Sequence, residues 1–167
     1  MKARRITLLV AAVAFAAVSA VPAFAVTVSR VDGMPMNPNG EPFSATGLMN
    51  VGKGAIVAVC STTFNGTISA TGIVNVTSTQ FTGAPLCGLF AGSANSASPW
   101  TGQVDSTTQL SINNAQMNVN LLGVCGPGKM ATTWKDSDSS LTFMNVVLPR
   151  DCTFAGTLAT SPKLHVQ

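Results

Sequence analysis

The sequence predicts an all-β fold, an antiparallel β-sandwich or barrel-like domain with two intrachain disulfides. Three observations carry this. Beyond Ala25 the chain is rich in Ser, Thr, Gly, Asn and Val and has almost no stretch that favours a helix. Apolar residues alternate with polar ones over short runs bounded by turn residues. Four cysteines fall into two pairs of identical spacing, Cys60 to Cys87 and Cys125 to Cys152.

The first residues read as an export signal. Lys2, Arg4 and Arg5 precede an uncharged apolar run from Ile6 to Val21, and Ala23-Phe24-Ala25 supplies the small-x-small pattern of a cleavage site. Cleavage after Ala25 is expected, leaving no membrane span. It would remove three of the nine basic residues and none of the six acidic ones. The exported chain is then nearly neutral, which gives no basis for a nucleic-acid partner. Low charge does leave sheet edges unprotected, so self-association is an open expectation.

Val26, Val28 and Val31 form a short β-prone segment, a candidate assembly strand that could pair within its own sheet or with a neighbour's. From Asp32 to Gly47 the chain carries Pro35, Pro38 and Pro42 without periodicity and reads as a loop or mobile arm. The organisation expected is a signal over 1–25, a strand and arm over 26–54, and a disulfide-bonded β domain over 55–167.

Within that domain a strand is expected at Ala55 to Val59. Two blocks then share one layout. Thr62 to Ala70 and Ile73 to Phe81 flank Thr71-Gly72, and Pro85 precedes Cys87; Met130 to Trp134 and Ser140 to Leu148 flank a polar turn, and Pro149 precedes Cys152. Each block reads as a hairpin closed by a bridge. Four cysteines allow three pairings; the equal spacing favours Cys60 with Cys87 and Cys125 with Cys152 in an oxidising compartment. Between the blocks, Leu110 and Ile112, then Met117, Val119 and Leu121, suggest two half-buried strands around a tight turn at Asn113-Asn114, with Val119 and Leu121 facing the core. Further strands are expected at Trp100 to Val104, Thr153 to Leu158 and Leu164 to Val166.

No catalytic set is apparent. The single imidazole, His165, lies in the closing segment, and nucleophilic catalysis needs a base held against its nucleophile. Asp136 and Asp138 are alternate carboxylates in a turn, without the remaining ligands of a calcium loop. There is no Cys-x-x-Cys pair for zinc, and Cys125-Gly126-Pro127-Gly128 lacks the Lys-Ser/Thr and helix of a phosphate cradle. The sequence therefore points to no enzyme, metal or cofactor. Apolar contact with a ligand or partner is the remaining chemistry, with Met34, Met36 and Met49 in or beside the arm, and Trp100, as candidates.

The four cysteines, Pro99-Trp100, Cys125-Gly126-Pro127-Gly128, Trp134 and the closing run from Leu158 to Leu164 together resemble the PraB-type family, described as protein activators of alkane oxidation. The resemblance covers the chain from about Ala55 onward. It implies a secreted or cell-surface accessory protein, exported through the inner membrane of a Gram-negative bacterium and associated with hydrocarbon or cell-surface contact and with biofilm. It carries no catalytic residue. A self-assembling extracellular fibre subunit, built by β-strand addition, is the alternative that the low charge and the N-terminal strand suggest.

Overall fold

The computed structural model describes residues 26–167; the expected signal segment lies outside them. Eleven strands run β1 (Val28–Arg30), β2 (Glu41–Lys53), β3 (Ile56–Ile68), β4 (Ile73–Gly83), β5 (Phe90–Gly92), β6 (Trp100–Ser106), β7 (Gln109–Val119), β8 (Gly123–Lys135), β9 (Ser140–Leu148), β10 (Cys152–Ser161) and β11 (Leu164–Val166). The sequence-level expectation of an all-β sandwich or barrel resolves to a barrel. Strands β2, β3, β4, β6, β7, β8, β9 and β10 each pair antiparallel with the next, and β10 returns to pair with β2. The result is an eight-stranded up-and-down barrel, whose closure removes the sheet edges that a neutral Thr-rich chain would otherwise expose.

Two pieces complete the cylinder. A 3-10 turn (Pro85–Leu89) leads into β5, which pairs with the end of β7 and extends the wall. Strands β1 and β11 pair only with each other, as a two-stranded ribbon across one end of the barrel. A lone two-stranded ribbon is marginal in water. This one gains stability by burying Val28, Leu164 and Val166 over the barrel mouth.

Both bridges lie at the opposite end. Cys60 joins Cys87 and Cys125 joins Cys152, with Cα separations of 5.6 and 5.8 Å. The spacing-based pairing is thus the one formed. Each bridge closes a hairpin, β3–β4 or β8–β9, as the block layout suggests.

Alternation sets what lies inside. Inward positions hold Phe43, Met49, Phe64, Val74, Trp100, Ile112, Met117, Phe143, Phe154 and Leu158, all buried; the intervening outward positions are mostly Thr, Ser and Asn. Phe64 sits near the middle, edge-on to Trp100 at 5.7 Å, Phe143 at 6.0 Å and Phe81 at 6.4 Å. Strand curvature brings backbones close at Gly47 and Gly66. A Cβ at Gly66 would stand 2.0 Å from the Asn75 carbonyl oxygen, and one at Gly47 would stand 2.1 Å from that of Thr157.

Four expectations are corrected. Asn113-Asn114 is not a hairpin turn: β7 runs through it as one strand, and Asn114 takes a positive φ of 58° at a break in register with β8. Asn tolerates the left-handed region, which serves a bulge as well as a turn. Leu121 does not face the core but is 87% exposed, because β7 ends at Val119 and Leu121 lies in the β7–β8 turn with a positive φ of 71°. The arm also ends earlier than expected. From Glu41 the chain is β2, with Phe43 and Ala45 in the core, so the barrel takes in 41–53 as well as 55–167. Pro42 is accommodated because it enters at the second residue of its strand. Ala55 to Val59 and Thr62 to Ala70, read as two strands, are largely one continuous β3.

Candidate functional site

One wall of the barrel differs from the rest. Across β4, β3, β2, β10 and β9 the only ionisable side chains are those of Glu41, buried at the start of β2, and Lys53, at its end. Among the described residues the other charges gather around the ribbon, at the β9–β10 turn, and on the opposite wall as Asp105 and Lys129. On this neutral wall Leu48, Val57, Val59, Met144 and Val147 point outward, each more than half exposed.

The strand register brings these side chains together. Val57 lies opposite Gly52, Gly52 opposite Thr153, and Thr153 opposite Val147, in one row across four strands. The Val57 and Thr153 side chains lean over Gly52, where an added Cβ would come within 3.1 and 2.9 Å of them. The next row runs Val59, Asn50, Ala155, with Met144 beside the β10 bulge, and Leu48 follows opposite Ser61. At the strand spacing of about 4.8 Å these form a band about 15 Å wide, apolar and hydroxyl-bearing, near the disulfide end. A band of this kind marks a contact surface more often than a scatter of single apolar residues does.

The sequence-predicted contact residues do not assemble on this wall. Met49 and Trp100 lie inside the barrel, fully buried, and Trp100 donates Nε1–H to Ser93 Oγ at 3.1 Å. Alternation places Met49 inward and its neighbour Leu48 outward. Met34 is exposed on the arm, and Met36 packs partly against the core. Of the candidate assembly strand, Val28 is buried in the pairing with β11, Val26 packs against the core, and Val31 is exposed. The residues of the outer wall were available as a signal: Ile56 to Val59 and Val146 to Leu148 are continuous apolar runs, and in an antiparallel strand such a run makes both faces apolar.

The family model described as "Alkane oxidation protein activator PraA/PraB-like" matches residues 1–167, the whole chain. The chain belongs to this PraA/PraB-like family. The resemblance read from Ala55 onward therefore extends over the arm and the ribbon as well. No curated protein and no solved structure matches the chain. Two disulfides in a PraA/PraB-like protein fit an oxidising compartment such as the periplasm or the exterior. Among the described residues no helix is long and apolar enough to cross a membrane.

The one imidazole of this PraA/PraB-like protein serves its ribbon. Asp136, in the β8–β9 turn, accepts hydrogen bonds from the Val166 N–H at 2.8 Å and from Trp134 Nε1–H at 3.1 Å, and contacts His165 Nδ1. Ser139 Oγ donates to the Leu164 carbonyl at 2.7 Å and accepts from the Leu164 N–H at 3.1 Å. On the other side, Arg30 meets Glu41 at 2.7 Å, and the Val28 N–H donates to the Ala70 carbonyl at 2.9 Å. In the same turn, Asp138 is held below its usual pKa by Ser140 Oγ and then by Lys135.

Burial acts to raise the Asp136 pKa, but the hydrogen bonds from Val166, Trp134 and His165 outweigh it, and the carboxyl is held below its ordinary 3.8. A pKa depressed by folding gives stabilisation that is complete above the unfolded value and lost as pH falls through the folded one. Acidification is therefore expected to loosen the ribbon before the barrel. Hydrogen exchange at the Val166 amide should lose protection in the acid range while the amides of β3 keep theirs. Asp136→Asn should weaken that protection already at neutral pH; equal protection in the two proteins would show that the Asp136 carboxylate does not hold the ribbon.

Proposed function

We propose that this protein is an exported, non-enzymatic accessory of alkane use that acts at a hydrocarbon or cell surface through its neutral outer wall. The observation that carries the proposal is the band of Leu48, Val57, Val59, Met144 and Val147 on a face whose strands carry no charged side chain beyond the buried Glu41 and the terminal Lys53 of β2. Moving an ionised side chain out of water is costly, so a wall meant to lie against an oil phase is best kept free of charge. Exposed apolar area gains about 25 cal/mol per Å² when removed from water. The disulfides and the closed ladder suit this role, because a protein held at an interface is otherwise prone to unfold there. Family membership supports the link to alkane oxidation, and activation by contact needs no redox group on this chain.

The purified protein is expected to lower the tension of a hexadecane–water interface in a pendant-drop measurement. The triple variant Leu48→Asn, Val59→Asn, Met144→Asn should lose most of that activity with little change in stability, since all three side chains already face water. A variant as active as the parent would remove the outer wall from the mechanism. The fibre alternative would use β1, which lies outside the closed barrel ladder, to pair with another copy. A polymer on sizing of the same preparation would favour that reading, and a monomer the contact one.

A further inference from the structure

We propose that the barrel interior behind the β1–β11 ribbon is a binding site for one small unfunctionalised hydrocarbon, with Leu164 as the plug that it displaces. This site is separate from the outer wall and does not depend on it.

The interior on the ribbon side holds a void of about 20 Å³, bounded by Phe43, Phe64, Val74, Ile112, Trp134 and Leu164 among others. That is room for little more than one water-sized sphere. Water there would lack partners. The one hydroxyl in the lining, on Thr160, already donates to the Ser139 carbonyl at 3.0 Å, and Trp134 Nε1–H is committed to Asp136 at 3.1 Å. A dry void with every polar atom engaged favours carbon and penalises any ligand whose polar group would be stranded. Eight-stranded barrels are at the size where the interior is either filled by side chains or holds one small ligand.

The plug does not belong to the barrel wall. Leu164 is carried on β11, which pairs only with β1 and is joined to β10 by Pro162 and Lys163. The ribbon is held by the burial of Val28, Leu164 and Val166 and by polar contacts with Ser139, Asp136, Glu41 and Ala70, so lifting it breaks these but no ladder of the cylinder. The other end offers no comparable entry, because Met49, Met117 and both disulfides fill it with fully buried atoms. Lifting the ribbon adds the space of the Leu164 side chain to the void, and the combined space suits a short alkyl chain.

The test is a fluorescence titration of the purified protein. Both tryptophans are buried, but only Trp134 lines the void. Adding n-hexane should change the tryptophan emission, and the change should vanish in Trp134→Phe, which retains Trp100. Hexan-1-ol should bind about tenfold more weakly, since its hydroxyl would have no partner. Leu164→Ala should bind n-hexane roughly tenfold more tightly because the plug need not be displaced; Val76→Ala, which enlarges the void from the wall, provides the same test if the first variant does not fold. The outer-wall triple variant should titrate like the parent. The proposal is overturned if neither parent nor an enlarged variant responds to n-hexane, if hexan-1-ol binds equally well, or if the response disappears with the outer-wall substitutions.

Discussion

Replacing all four cysteines by serine is expected to leave the protein largely unfolded at physiological temperature. Each bridge closes a loop with a sequence separation of 27. The chain-entropy relation gives about 3.5 kcal/mol for a loop of that length. The loops are neither nested nor overlapping, so their contributions should add, to about 7 kcal/mol. A domain of this size has a total stability of about 5–15 kcal/mol. Loss of either pair alone should lower the urea midpoint substantially while the fold survives. Loss of Cys60–Cys87 should in addition loosen the 3-10 turn and β5, since Cys87 is the buried residue of that turn. Two single-pair variants as stable as the parent, measured by urea denaturation, would show that the barrel ladder alone determines stability. The full replacement also separates compartment from fold, because a chain that needs its bridges accumulates only where thiols are oxidised.

How much of this structure was legible depends on whether local chemistry or barrel closure decided each feature. Ile73 to Phe81 and Ser140 to Leu148 were readable because they are β-prone runs and their turns carry Gly or Asp and Ser. The bridges were readable because equal spacing reflects two equivalent hairpins. The β2 strand was hidden by Pro42 and Gly47, residues that argue against a strand when viewed locally. In the barrel, Pro42 sits at an entry, and Gly47 lets the wall bend against the Thr157 carbonyl. Asn113-Asn114 offered a turn signal that the bulge in β7 shares, and only pairing with β8 distinguishes the two. For the outer wall the difficulty was parity. Met49 and Trp100 are the larger and more noticeable residues, yet the pleat turns them inward and gives the surface to Leu48 and to the second face of β3 and β9. A sequence shows which residues are apolar; the register decides which of them meet water.

Phe64→Ala is expected to be the most damaging single substitution among the barrel side chains, costing about 3–5 kcal/mol. Phe64 is 1% exposed and touches three other aromatic rings edge-on, one each from β4, β6 and β9, so it ties together strands from opposite sides of the cylinder. Truncation would remove those contacts at once and join the vacated volume to the existing void, and the cost of a cavity grows with its size. The backbone has little freedom to collapse into the gap, because closure fixes the barrel radius through every ladder. Met144→Ala provides the contrast: a similar loss of side chain at a position 75% exposed should change stability by less than about 0.5 kcal/mol. The two variants measured by thermal denaturation therefore separate interior from outer wall. A small effect at Phe64 would mean that the aromatic cluster fills space without setting the stability of the barrel.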